Sequence, residues 1–465
     1  MAGFLRRSFG ASAWRIPRGD AARQAAWLAL PFGAQQGLRL ATNVVLARLL
    51  APEMFGVMVL INTLRTGVEL LSDIGIGQSI VRSPHLHDRR FLDTAWTVQF
   101  ARGVVLTIAT LIAAEPLARA YDRPEIAPVI ALVSATFLIT GAQSANIFIM
   151  QRDLRVKQRA AYDLVNALGT AAIFIGLAWW RADLWALVWG LVLSFLLATL
   201  LTYAFPPYRL PRFTWRPEFV REIFHFGKWV FLSTAVYFAA MSTDRLYFSA
   251  VLPLALLGIY GVARTFAELA VALAHRLGSF LVFPKVTALR QAGADMGGFR
   301  RNRRLALVAI AGALAIGLAV SDRLVLLLYD ARYHQAAFML PVLLAGVWFS
   351  VLAAFGEATA FGLDRPRTAA AGNAAKFAVL IVGLPLVVPT LGVFAGLLVL
   401  ALGEVARWLV LAVALRRDRL APVGDDLVLT LLIAAAAVAL KAGLGALGLA
   451  PTLGQWWALG AGVHG

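Results

Sequence analysis

Hydrophobic length constrains this chain more than any other feature. Thirteen apolar stretches, near 26–47, 56–81, 92–114, 127–150, 161–180, 184–205, 229–251, 256–283, 305–328, 336–361, 368–388, 392–415 and 427–449, fill most of its 465 residues. About 20 apolar residues cross a bilayer as a helix, and in hydrocarbon a backbone satisfies its own hydrogen bonds only as helices or a closed barrel. The stretches are continuous and do not alternate every second residue, which excludes a transmembrane barrel. The expected fold is all-α, a polytopic membrane protein of about 12–14 transmembrane helices. Composition agrees: 60% of residues are hydrophobic and 15% charged, against roughly 45–50% and about 25% in soluble domains. That excludes a water-soluble enzyme, a disordered chain and a coiled coil. The tail from Thr452 to Gly465 is too short to cross alone.

The net charge of +18 is placed where a membrane protein needs it. With the N-terminus in the cytoplasm, 28 basic residues fall in inner loops and tails, 6 on the opposite side and 9 inside spans. That asymmetry predicts a multi-pass chain with a cytoplasmic N-terminus, and it makes nucleic acid an unneeded partner. Trp179, Trp180, Trp185 and Trp189 cluster at a predicted outer turn, as an interfacial aromatic belt does. No cleavable signal is expected, because Arg39 interrupts the first apolar stretch. Cysteine is absent, which excludes disulfides and thiolate chemistry.

A repeat organises the spans. Leu-Arg-Thr-Gly-Val-Glu-Leu at 64–70 matches Ala-Arg-Thr-Phe-Ala-Glu-Leu at 263–269. Pro52 matches Pro253, Thr42-Asn43 matches Thr243-Asp244, Tyr121-Asp122 matches Tyr329-Asp330, and Asp153 matches Asp364, in order and with slowly drifting spacing. Six helices separate the copies, so both have the same orientation. The expected architecture is two six-helix lobes related by an axis along the membrane normal, with a substrate site between them near the midplane. The segments are a basic tail (1–24), an N-lobe (25–206), a linker (207–228), a C-lobe (229–415) and a C-terminal extra helix and tail (416–465). Within the linker, the spacing of Phe219, Ile223 and Phe226 fits a short interfacial helix; the alternative is a simple linker.

Ionisable residues inside spans are costly, and they are functional candidates by default. They concentrate in the first two spans of each lobe: Arg39, Arg65, Glu69 and Asp73, then Asp244, Arg245, Arg264, Glu268 and Arg276. Arg65–Glu69 and Arg264–Glu268 are spaced i, i+4, so each pair shares a helix face. As repeat equivalents, Arg65 and Arg264 are expected to face one another, with Arg39 and Arg245 nearby. Guanidiniums bind phosphate through a planar fork and stay charged, so the set suits a diphosphate. The alternative is that each Arg–Glu pair is a structural salt bridge. Asp73 and Asp163 are candidates for ion coupling. Glu357, Glu404 and Lys441 have no repeat mates and are expected either in local pairings or as snorkelling groups near an interface. No phosphate-binding glycine loop or metal-ligand spacing is present; no cofactor, metal or enzymatic activity is expected.

Residues 46–60 (LARLLAPEMFGVMVL) and 71–82 (LSDIGIGQSIVR) resemble the opening of the polysaccharide transporter family. These are O-antigen-type flippases for lipid-linked oligosaccharides, within the multidrug/oligosaccharidyl-lipid/polysaccharide exporter superfamily. The resemblance implies a bacterial inner-membrane protein that moves an undecaprenyl-diphosphate-linked glycan from inner to outer leaflet by alternating access. It implies that Arg39, Arg65, Arg245 and Arg264 contact the diphosphate. Its implied partners are the lipid-linked glycan, membrane lipids and the proteins that polymerise or assemble the glycan. Two rivals remain: a multidrug extruder of the same fold, which needs an acidic cavity for cationic guests, and a non-transporting scaffold, which needs a sealed lobe interface.

Overall fold

The computed structural model describes residues 18–85, 88–153, 155–204, 210–277, 282, 286–287, 289–290, 297–416 and 423–459. Among these residues the regular structure is helical. The first half holds α1 (Arg18–Leu49), α2 (Pro52–Leu70), α3 (Ile76–Arg82), α4 (Arg89–Ala120), α5 (Ala127–Gly141), α6 (Asn146–Arg152), α7 (Val156–Trp180) and α8 (Leu184–Ala204). The second holds α9 (Pro217–Val251), α10 (Leu254–Leu277), α11 (Gly297–Leu328), α12 (Gln335–Gly362), α13 (Pro366–Leu415), α14 (Val423–Ala446) and α15 (Leu453–Leu459). Helix α13 is two helices joined at a bend: Gly392, at φ 77°, breaks it after Pro385 and Pro389, and its positive φ favours glycine. Proline opens α2, α9 and α13, where its missing N–H is no loss. Asp88 caps α4 by accepting from the Arg90 N–H at 2.8 Å.

Nine of the described helices are long and apolar enough to cross a membrane by length and composition. With the more charged α1, α2 and α9, and with α13 counted as two limbs, each of the thirteen apolar stretches has its helix. Three boundaries differ from expectation. The stretch 56–81 is not one span: α2 ends at Leu70, and a turn at Leu71–Gly75, with Gly75 at φ 64°, leads into α3. The stretch 127–150 likewise breaks between α5 and α6. The linker helix expected around 219–226 is the first part of α9, which runs unbroken from Pro217 to Val251, because nothing after Pro217 interrupts its i→i−4 ladder. Residues 1–17 of the expected tail, 205–206 of the expected N-lobe, 207–209 of the linker, and 417–422 and 460–465 of the C-terminal segment lie outside the described residues.

Packing repeats as the sequence does. α4 packs on α5 as α11 packs on α12, and α1 on α7 as α9 on α13. The two halves meet mainly where α2 crosses α10 and α9. A Cβ at Gly258 would land on the Pro52 carbonyl oxygen, and one at Gly56 on the Leu254 carbonyl oxygen, so these glycines permit backbone contact. The same end carries crossed arginine contacts. Arg123 of the first half donates to Leu252 O of the second at 2.7 Å. Its repeat counterpart Arg332 donates to Ala47 O at 3.2 Å, and Arg48 to Leu328 O at 3.2 Å. Each caps the carbonyl end of a helix, where positive charge is favoured. The Asp330 carboxyl is held below its usual range chiefly by its hydrogen bonds from Arg332. It therefore stays charged, and the turn stays braced, until the pH falls below the ordinary carboxylate range.

The exterior is apolar where lipid would lie: Ile112, Leu386 and Leu431 are exposed. Trp179 and Trp180, at the end of α7, are 80% exposed, in keeping with an interfacial belt. Helix α14 is held by buried ion pairs. Arg303 reaches Asp426 through two bonds of 2.8 and 2.9 Å, Trp408 Nε1 donates to the same carboxylate at 3.2 Å, and Lys441 pairs with Asp322. Asp426→Ala should cost about 3–5 kcal/mol, because it strands the Arg303 charge in a buried site. Thermal unfolding of the purified protein in detergent measures this, and an unchanged midpoint would rule the brace out.

Candidate functional site

The repeat brings three of the four expected arginines together. Arg39 lies ten residues before the end of α1 and Arg264 ten residues after the start of α10. At 1.5 Å per residue both sit about 15 Å along their helices from those ends. Glu268 is the hub. Its carboxylate accepts from Arg39 at 3.3 Å, pairs with Arg245 of α9, and lies 3.6 Å from Arg264 Nε. Arg264 also pairs with Asp244 at 3.4 Å. Asp244 is buried and accepts from the Tyr260 hydroxyl at 2.5 Å, so its role in this structure is to fix Arg264. Three guanidiniums thus share two carboxylates.

This cluster borders two cavities. One, of about 510 Å³, lies between α1, α2 and α7 of the first half and α9 and α10 of the second. Its ionisable lining is Arg39, Arg245, Arg264 and Glu268, a net of +2; the rest is amides, hydroxyls and apolar groups such as Asn166, Thr170 and Phe174. The other, of about 530 Å³, lies behind the cluster, mostly in the second half but reaching Thr66 and Leu70 of α2, and adds Asp244, Lys376, Glu404 and His275 to the shared Arg245, Arg264 and Glu268. Lys376 donates to Glu404 at 2.7 Å, and Arg407 pairs with Glu357 at 2.5 Å and with Glu404 at 3.6 Å. Glu357, Glu404 and Lys441 are therefore all in pairings, as expected.

Arg65 departs from expectation. It does not line the inter-half cavity and does not face Arg264. It pairs with Glu69 at 3.0 Å, one turn along α2, and its guanidinium stacks 4.3 Å from the Phe195 ring of α8. The i, i+4 pairing is present in both repeats, but α2 turns its charged face toward α8, whereas α10 turns its own toward the cavity. Glu69 follows Arg65 and borders a separate polar cavity of about 260 Å³ with Asp73 and Arg102. Arg102 donates to Glu69 O and Ser72 Oγ at 2.6 and 2.8 Å, which closes the carbonyl end of α2.

Asp73 is not inside a helix. It sits in the α2–α3 turn and accepts from the Gly75 N–H at 2.8 Å. Asp163 pairs with Arg159, one turn away on α7, at 3.1 Å. The Arg276 side chain lies outside the described residues. Sequence reasoning missed Tyr260 and the cavity's amides; a tyrosine sixteen residues from an aspartate on the next helix carries no local signal. Among the described residues there is no cluster of three or more potential metal ligands.

This arrangement of helices is that of a known class of membrane transporter. A lipid II flippase, MurJ, in an inward closed conformation superposes over 90% of this chain and 98% of its own with a TM-score of 0.68 at 11% identity. An inward-facing multidrug resistance transporter of the MOP superfamily superposes over 86% and 95% with a TM-score of 0.62 at 15% identity. The chain therefore has the MOP-superfamily fold. Residues 45–338 match the family described as polysaccharide biosynthesis protein, and the chain belongs to that family. The succinoglycan biosynthesis transport protein ExoT of Rhizobium meliloti (strain 1021) is 23% identical over 247 residues, which are 53% of this chain. The match spans half the length of that relative.

Proposed function

We propose that this chain is a flippase for a polyprenyl-diphosphate-linked glycan, moving it from the inner to the outer leaflet of a bacterial inner membrane by alternating access. The observation that carries the reading is the convergence of Arg39, Arg245 and Arg264, from both repeats, on one carboxylate beside a cavity of about 510 Å³. A diphosphate competes with Glu268 for the three guanidiniums. It offers more acceptor oxygens than one carboxylate, and forked contacts favour it. The sugars occupy the cavity and the polyprenyl tail stays in lipid.

The two lobes, 25–206 and 229–415, rock against one another, and 416–465 is an appendage. With the N-terminus cytoplasmic, the end braced by Arg123, Arg332 and the α2–α10 crossing is the outer one, and it must part for release. Asp73 and Asp163, the candidates for ion coupling, already have local partners, which favours the membrane potential as the drive. An inside-negative potential assists an anionic head group by about 2.3 kcal/mol per charge per 100 mV. Proteins that polymerise the glycan are the natural neighbours. The net positive lining works against a multidrug extruder of cations, and an open cavity works against a sealed scaffold.

Purified protein in vesicles should move a fluorescent polyprenyl diphosphate disaccharide between leaflets, faster under an inside-negative potential. No movement above protein-free vesicles would overturn the reading, and a rate indifferent to potential would remove the electrical drive.

A further inference from the structure

Glu268 stands where the two cavities meet and borders both. In front, it ties the two halves together: Arg39 of the first half and Arg245 and Arg264 of the second all reach its carboxylate. A diphosphate that takes these guanidiniums leaves that carboxylate without its counter-charges, facing an anion that repels it. Behind, the carboxylate has somewhere to go. The rear cavity offers about 530 Å³ and a cation, Lys376, on its lining. Ala272 lines the same space, one turn beyond Glu268 on the same face of α10. Lys376 is bound to Glu404 at 2.7 Å, and Glu404 has a second cation in Arg407 at 3.6 Å. Lys376 can therefore turn to another carboxylate without stranding its present partner, the costly outcome for a buried charge.

We infer that Glu268 is a resident competitor with two stations. It holds the three guanidiniums when the site is empty, turns to Lys376 when a diphosphate takes them, and returns to expel the diphosphate once the outer side opens. Because it is tethered, it competes at a high effective concentration, and it does not leave with the cargo. Tight binding alone would keep the diphosphate in the site, and product release is the slow step of many cycles that depend on conformational change. Glu268 is thus a positioning residue: it acts through the arginines and sets how firmly they hold the diphosphate. This rests on the flippase reading above and adds to it the means of release.

The test titrates the full chain in nanodiscs with a polyprenyl diphosphate disaccharide and follows leaflet exchange of the same lipid, at saturation, in vesicles. Glu268→Gln removes the competing charge and keeps the shape. It should bind the lipid about tenfold tighter and exchange it several-fold more slowly. Ala272→Leu fills the rear station and should act the other way, binding the lipid several-fold more weakly. Adding Glu268→Gln to Ala272→Leu should restore tight binding, since nothing then needs the rear station. Glu268→Asp keeps the charge on a shorter stem and should fall between the parent and Glu268→Gln; it carries the test if thermal unfolding shows Glu268→Gln to be misfolded. Loss of a merely structural ion pair would loosen binding and slow exchange together. Binding by Glu268→Gln equal to or weaker than that of the parent overturns the inference alone, as does tight binding with the parental exchange rate. Parental affinity in Ala272→Leu overturns the rear station and with it the two-station switch. A parent that neither binds nor moves the lipid overturns the flippase reading and this inference together.

Discussion

Replacing Arg39 and Arg245 together with Gln should slow transport of a diphosphate-linked glycolipid by at least about 100-fold. A hydrogen bond to a charged group contributes about 1.5–3 kcal/mol, and 1.36 kcal/mol is a factor of ten in rate, so each substitution alone should cost about tenfold or more. These two positions give the cleanest test because neither leaves a deeply buried partner without a counter-charge. Glu268, 30% exposed, keeps Arg264 at 3.6 Å. Arg264→Ala would instead strand Asp244, which is 2% exposed, and would confuse folding with function. Arg39→Lys should recover only part of the loss, since the ammonium lacks the fork. Arg65→Ala should slow transport far less than the double substitution, because Arg65 is engaged with Glu69 and Phe195 away from the cavity. Leaflet exchange in vesicles measures each of these variants. A double variant that transports at the parent rate would remove the arginines from the mechanism.

Gly258→Leu should abolish transport by keeping the α2–α10 crossing from closing. The new side chain would fall on the Pro52 backbone, with the Gly56 amide 2.9 Å from its Cβ; close-packed helices relieve such an overlap only by moving apart. The end of the cavity sealed by that crossing would then stay open, and alternating access needs it shut in half of the cycle. The absence of native cysteine makes this directly observable. A single Cys replacing Asn62 on the cavity wall should be shielded from a membrane-impermeant maleimide added at the Arg123 side in the parent background. It should be labelled readily once Gly258→Leu is present. Shielding and parent-level transport in the variant would mean that the glycine contact is not a gate.

The number of long helices was legible because membrane insertion enforces one rule on each of them: a sufficient run of apolar residues. What interrupts those runs was less so. The α2–α3 turn lies within an apolar stretch, and its only marks are Asp73 and Gly75, whose side-chain cap and positive φ make a turn without polar bulk. The bend in α13 falls between the separate apolar stretches 368–388 and 392–415, where the structure places Pro385, Pro389 and Gly392. The site was half visible. Spacing showed that Arg65–Glu69 and Arg264–Glu268 each share a face, and both pairs exist. Which neighbour that face meets depends on the rotation of the whole helix, which for α2 is set by close contact with α10 through Gly56 and Gly258. Long-range partners such as Asp322 for Lys441 and Tyr260 for Asp244 depend on assembly and leave no local trace.

The most direct test of diphosphate recognition is a pair of equilibrium titrations on the purified protein in nanodiscs. One uses a polyprenyl diphosphate glycolipid and the other its monophosphate counterpart, each run with the parent chain and with the Arg39→Gln, Arg245→Gln variant. Binding in the parent should favour the diphosphate by about tenfold or more, and the variant should lose that preference while the monophosphate changes little. Equal affinity of parent and variant for the diphosphate lipid would contradict it.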